Sequence, residues 1–257
     1  MWNTGEDFKN LDEAFSSIKQ ITALTYKEKL EFGQITFQQV LTDTNKNNLR
    51  TAASYYHDGI NEVDNNKRKV SIGNALVLFK KLADTDTGSL KNNDLDNIVS
   101  LHEEFNELEK TNLKPDYHSI LQKLKEIVSI RENQRKKYPT DSTLIHNLAN
   151  NYNDLAYYSL YTKEFQNAIQ YADTGLKVEP AYDIIYTNLA LGYLLSKEDH
   201  FNEAKNLYEK YKNIKMIYDG RSFKEGFLQD FEDLTNAGII SKDDKRVERI
   251  KKLLNDK

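Results

Sequence analysis

The sequence predicts an all-α protein, and three observations carry that prediction. Only ten glycines and three prolines punctuate the 257 residues, too few turn formers for a many-stranded sheet and suited to long helices joined by short polar loops. Apolar residues recur at three- and four-residue spacing through most of the chain, the period of an amphipathic helix. No cysteine occurs, so there are no disulfides or thiolate metal ligands, and a core must hold the fold. A chain of this length buries roughly three quarters of the surface its unfolded form exposes, which is enough for that.

Taken in order, "NLDEAFSSIKQI" sets Leu11, Phe15 and Ile18 at helical spacing, predicting a helix near 10–20. The next stretches, "ITALTY" and "GQITFQQVL", mix β-branched and aromatic residues and leave a short strand pair open. From Asn47 the helical signal firms: "LRTAASYYHDGI" is followed by "VSIGNALVLFKKLAD", with Val70, Ala75, Leu76, Phe79 and Leu82 as its apolar stripe. "DTDTGSLKNND" reads as a loop. "LDNIVSLHEEFNELEK" then places Leu95, Ile98, Leu101, Phe105 and Leu108 in a nearly heptad series that ends before Pro115. A further helix turns Ile120, Leu121, Leu124, Ile127, Val128 and Ile130 inward and closes at Pro139, with Thr140 or Asp141 to cap its successor. From there to about Lys212 the pattern predicts four helices in two hairpins, then an amphipathic helix in "SFKEGFLQDFEDLTNAG" and a last one in "KRVERIKKLL".

Charge narrows the function classes. Thirty-six basic and forty acidic residues give a formal net charge of −4, leaving no global positive excess to hold a phosphate backbone, so no nucleic-acid partner is expected. The basic runs "RENQRKK" and "KDDKRVERIKK" are interleaved with acids or sit at helix ends, where cations suit the helix dipole. No run reaches the ~20 apolar residues of a membrane span. No membrane association is expected, and a cysteine-free soluble chain is expected in the cytoplasm. A Met-Trp start is equally compatible with a boundary inside a longer protein.

Comparing the chain with itself at an offset of thirty-four residues pairs Tyr152 with Tyr186, Leu155 with Leu189 and Ala156 with Ala190. The helix after the first of these carries Phe165, Ala168, Gly175 and Pro180; the helix after the second carries Phe201, Ala204, Tyr208 and Tyr211, two residues late because "SKEDH" is a longer turn. This period, with an aromatic, then Leu-Ala, then an aromatic before an alanine and a terminal proline, resembles the tetratricopeptide repeat family, best over 140–215 and loosely over 95–240. Gly175 stands where the second helix usually has alanine, and Tyr211 where a small residue is usual.

The resemblance implies antiparallel hairpins stacked as a right-handed superhelix. It implies an N-terminal helical region of unassigned role over 1–113, repeats with a capping helix over 114–240, and a C-terminal helix or tail over 241–257. Residues 116–138 would be the second helix of a degenerate preceding unit. The alanines gain a physical role, because helices cross closely only where contact points lack bulk.

In that register the first helix of each unit lines a concave groove, carrying Asn150, Asn153, Tyr157 and Tyr161 from one unit and Thr187, Asn188, Leu191 and Leu195 from the next. Asparagines offer donors and an acceptor to a peptide backbone, and tyrosines supply rigid contact area. Leu191 and Leu195 serve equally as packing residues. Some members of the family clamp a peptide carboxylate with lysines and asparagines here. Asn153 stands in place of such a lysine and Tyr157 in place of an asparagine, so no carboxylate clamp is expected.

Other chemistry finds little support. The five histidines show no HExxH or paired ligand spacing, so no metal site is expected. His102, Glu103, Glu104 and Glu107 read as a solvated acidic face rather than a ligand set. His57 and Asp58 are sequence neighbours that point apart on a helix and have no nucleophile with them. No phosphate-binding glycine loop occurs. The expectation is a non-catalytic interaction scaffold or adaptor without catalytic residues or cofactors, holding a protein or peptide partner in its groove. The alternative is a ligand-sensing or regulatory helical module of a larger enzyme or defence effector.

Overall fold

The computed structural model describes residues 26–31, 35–85, 90–196, 200–217 and 220–256. Among these residues the chain is all-helical, with twelve α-helices, and its one β-type pairing is an isolated bridge between Lys215 and Ser222. The helix expected near 10–20 lies outside the described residues. None of the described helices is long and apolar enough to cross a membrane. The chain divides into two units, Met1–Leu108 and Glu109–Lys257.

In the first unit, α1 (Tyr26–Glu31), α2 (Phe37–Thr42), α3 (Lys46–Asp58), α4 (Asn65–Thr85) and most of α5 (Asn92–Lys110) follow one another, with a 3-10 turn, Gly59–Asn61, between α3 and α4. The strand left open over "GQITFQQVL" is instead α2. Thr36 accepts from the Gln39 N–H, and the Gln39 side chain accepts from the Thr36 N–H at 2.7 Å. This reciprocal capping box satisfies two otherwise orphaned helix donors, which overrides the β preference of the residues around it. Leu49, Ala52 and Ala53 of α3 pack against Ile72, Ala75, Leu78, Phe79 and Leu82 of α4 in one apolar cluster.

The inward face of α4 differs from the expected stripe: Val70 is 61% exposed, while Ile72 and Leu78 take the interior. The interior of α5 is also more polar than predicted. Asp94, His102 and Asn106 are buried, whereas Leu95, Ile98 and Phe105 are only half-buried. The cause is specific at Asp94, whose carboxylate accepts from Arg50 Nε at 2.9 Å and from the Lys91 N–H at 2.8 Å. A buried acid is tolerated when it is paired and hydrogen-bonded in this way. His102 therefore does not share a solvated face with its acidic neighbours, and Glu104 pairs with Arg68 at 2.8 Å. The described residues hold no group of three or more histidine or acidic side chains that could take a metal ion.

The second unit contains α6 (Tyr117–Lys137) and six further helices: α7 (Ser142–Tyr161), α8 (Phe165–Val178), α9 (Ile185–Leu195), α10 (Phe201–Tyr211), α11 (Phe223–Asn236) and α12 (Lys245–Asn255). Helix α6 packs on α7, α7 on both α8 and α9, α8 on α9, α9 on α10 and α11, and α12 on α10 and α11. Side-chain caps start most of them: Asp116 for α6, Asp141 for α7, Ser222 with Glu225 for α11 and Asp244 for α12. The buried side of α6 is Ile120, Leu121, Leu124, Ile127 and Val128. Ile130, expected with them, is only half-buried.

Small residues sit where these helices cross. Ala156, Ala168, Ala190 and Ala204 have no exposed surface. A Cβ on Gly175 would come within 2.6 Å of Ile185 Cδ1 and 3.1 Å of Tyr152 Cβ, and one on Gly192 within 2.8 Å of Ile169 Cγ1. These glycines and alanines thus give up side-chain burial for close backbone approach, and larger residues fill the space beside them. Tyr211 is one such filler, stacked 4.5 Å from Tyr186 and lying 4.8 Å from Phe223. Buried Phe227 and Phe231 carry α11 onto Tyr208 of α10, and buried Phe223 carries it onto Tyr211. Val247, Ile250 and Leu254 bury one side of α12, whose last carbonyls at Leu253 and Asp256 accept from Lys212 Nζ at 3.0 Å.

Candidate functional site

Helices α7, α9 and α11 meet along one side of the second unit. Asn150, Asn153, Tyr157 and Tyr161 recur every three or four residues and so share a face of α7. Helix α9 joins that face through Asn188, whose Nδ2 donates to Asn153 Oδ1 at 2.8 Å and to the Asn153 carbonyl at 3.2 Å. Helix α11 joins it through Asp230, whose carboxyl is influenced by Thr187 of α9. Gly226 of α11 lies beside Thr187 and Met216: a Cβ there would stand 3.7 Å from Thr187 Cγ2, an ordinary contact, and 3.2 Å from the terminal methyl of Met216.

The sequence-selected residues separate by depth. Leu191 is fully buried, and Asn188 and Thr187 are 2% and 6% exposed, so these three hold the face together from inside. Leu195 is likewise buried. Asn150 accepts a 2.7 Å hydrogen bond from the Tyr182 hydroxyl, and Asn153 accepts from Asn188, so both amides already serve internal bonds. Tyr157 and Tyr161 are half-buried, with hydroxyls 2.8 Å apart. Tyr117 from the start of α6 extends the aromatic patch, its ring 4.5 Å from Tyr161 and 6.2 Å from Tyr158. Lys110 Nζ lies 5.5 Å from the centre of the Tyr158 ring.

The sequence reading missed the acidic side of this face. Asp230 and Asp233 lie one turn apart on α11, and Asp230 Oδ2 is sealed from solvent without a hydrogen-bond partner. Burial pushes the Asp230 carboxyl up to about 7; the Thr187 bond and the positive charge of Arg221 oppose the rise, and the neighbouring Asp233 adds to it. Burial also raises the phenols. Tyr161 is pushed up to about 12, and Tyr157 and the fully buried Tyr208 are raised well above the ordinary range, each with a contribution from the charge of Asp230. The Tyr208 hydroxyl, like Asp230 Oδ2, is sealed without a partner.

A sequence signal for these residues existed. Asp230 and Asp233 share helical spacing beside the Phe223, Phe227, Phe231 stripe, which puts both acids on one side of the helix. Chemically, the face combines neutral phenols at physiological pH, rigid aromatic surface and one carboxyl that changes charge near neutrality.

The other side chains considered from the sequence are occupied elsewhere. Asp58 pairs with Lys27 at 3.0 Å, and burial lowers the pKa of His57. His146 contacts Glu179 at 3.1 Å. Arg135, Lys136 and Lys137 occupy the last turn of α6, where they complement its dipole. No protein-family model matches the chain, and no curated protein matches its sequence.

Proposed function

We propose that the second unit is a non-catalytic interaction module of tetratricopeptide-like hairpins, which binds a protein or peptide segment along the face formed by α7, α9 and α11. The observation carrying this reading is the contiguous set of half-buried tyrosines, Tyr117, Tyr157, Tyr158 and Tyr161, beside Asp230 and Asp233. Partly exposed tyrosine supplies contact area at low entropic cost, and clustered aromatic anchors dominate the energy of interfaces. The thirty-four-residue recurrence and the small residues at the crossings support the repeat assignment. In this reading the inner residues Thr187, Asn188 and Leu191 fix the spacing of the helices, and contact falls to the tyrosines. The absence of cysteine fits work in the reducing cytoplasm.

The test is affinity capture from the native cell with wild type and Tyr161→Ala, read by mass spectrometry, with melts to show that both baits are folded. Loss of one protein from the variant supports the reading. Equal retention of every captured protein refutes it, and recovery of a metabolite by the wild type alone would favour the ligand-sensing alternative.

A further inference from the structure

We infer that the solvent side of α4 is a docking seam for this chain's own N-terminal segment, residues 6–20, which lies along it as an amphipathic helix. The inference is independent of the proposed interaction module, because the segment and α4 both belong to the first unit.

Helix α4 presents apolar residues on two sides. Its inner side, with Ile72, Ala75, Leu78, Phe79 and Leu82, is packed into the core of the unit. On the opposite side Asn66, Val70, Gly73 and Val77 recur at three- and four-residue spacing, and all are exposed, Val70 by 61% and Val77 by 46%. A Cβ on Gly73 would meet nothing within 4 Å, so the backbone between the two valines is open to a neighbour. Cations line this seam. Lys69 and Lys80 follow one edge and Lys67 the other, while Asp84 is the only acid of the helix.

Size and charge select the occupant. Two valines and an open glycine offer far less than the ~1,000 Å² that a stable interface between free proteins buries. A second copy would also set Lys67, Lys69 and Lys80 against their own equivalents, which like charge opposes. A tethered segment avoids both objections, because its effective concentration is on the order of millimolar and a small contact suffices. Residues 6–20 have the matching chemistry. Leu11, Ala14, Phe15 and Ile18 share one helical face, and Glu6, Asp7, Asp12 and Glu13 outnumber Lys9 and Lys19. The point where the chain enters the described structure supplies the reach. Lys27 at the start of α1 pairs with Asp58 at 3.0 Å, and Asp58 ends α3 just before the turn that leads into α4. The stretch from Ile18 to Tyr26 spans up to about 27 Å when extended, whereas Val77 lies only about 18 Å along α4 from its first residue.

The chain contains no cysteine, so a reactive pair can be introduced on a clean background. The experiment places Ala14→Cys with Gly73→Cys in the full chain, adds a short bismaleimide and follows cross-linking by gel mobility and intact mass. Neither substitution removes an apolar anchor, and the space above Gly73 accommodates a side chain. A rapid link within one chain is expected. It should slow at least about tenfold when Leu11→Asp and Ile18→Asp are added, since two aliphatic side chains are then withheld from the seam. Asn66→Cys, at another exposed seam position, repeats the measurement, so that a glycine variant shown by a melt to be misfolded does not decide the outcome. No link within the chain from either position would overturn the inference. A link whose rate ignores the aspartates would also overturn it, because the tether alone would then account for the proximity. A link between two chains carrying Gly73→Cys alone would overturn it in favour of a second copy.

Discussion

Replacing Asp230 with asparagine removes a charge while keeping the shape of the side chain and one carbonyl acceptor. Each pH unit by which a folded chain displaces a pKa is worth about 1.4 kcal/mol. Holding this carboxyl at about 7 rather than 3.8 therefore caps the cost of its charge at about 4 kcal/mol. The residue keeps some exposed surface although Oδ2 is sealed, and screening through that surface reduces the figure to about 2 kcal/mol. The folded chain holds the proton more tightly than the unfolded one. Stability from this group is thus complete below pH 3.8 and is lost as pH rises through about 7.

Urea melts of wild type and Asp230→Asn at pH 5 and pH 8.5 measure the effect. The advantage of the variant should grow by about 1–2 kcal/mol between the two conditions, and the variant should be the more stable at pH 8.5. His57, whose pKa burial lowers, titrates in both proteins and cancels in the difference. A stability difference that ignores pH, or a variant less stable at pH 8.5, would refute the picture of an uncompensated buried carboxylate.

Four other substitutions and one truncation probe the packing. Ala156→Leu and Ala168→Leu overfill crossings that have no exposed surface and should each cost about 1–3 kcal/mol in a denaturant melt, whereas Gln170→Leu on an exposed position should change stability by no more than about 0.5 kcal/mol. Asn188→Ala removes both donations to Asn153 and should cost about 1–2 kcal/mol, so that any loss of binding it causes tracks unfolding, a link that binding assays below the melting transition would break. Truncation before Arg221 uncovers Tyr208, Ala204 and Tyr211, now covered in part by Phe223, Phe227 and Phe231; aggregation or loss of a cooperative transition is expected, and an unchanged soluble fragment would contradict the packing of α11.

Helices with strong periodicity and side-chain caps were legible in the sequence. Asp141 before α7 and the amphipathic faces of α6 and α11 are clear examples. The strand left open near residue 37 shows the limit of propensity, because one reciprocal cap between Thr36 and Gln39 decides the conformation. Polar residues in the interior were illegible for a related reason. Asp94 is buried because Arg50, forty-four residues away, reaches it, and no local pattern records that partner. On the candidate face, sequence spacing selected α7 and α9 but could not tell a residue that spans two helices, such as Asn188, from one on the surface, such as Tyr161. The acids of α11 were missed because the burial that raises the Asp230 pKa comes from packing against other helices, which spacing along α11 does not record.

The most direct test of the central claim places a photo-crosslinking phenylalanine analogue at Tyr161 on the proposed face and, separately, at Gln170 on the exposed side of α8, in the native cell. The account predicts that a protein partner is trapped from position 161 and not from position 170. Trapping from position 170 with none from 161 would contradict it.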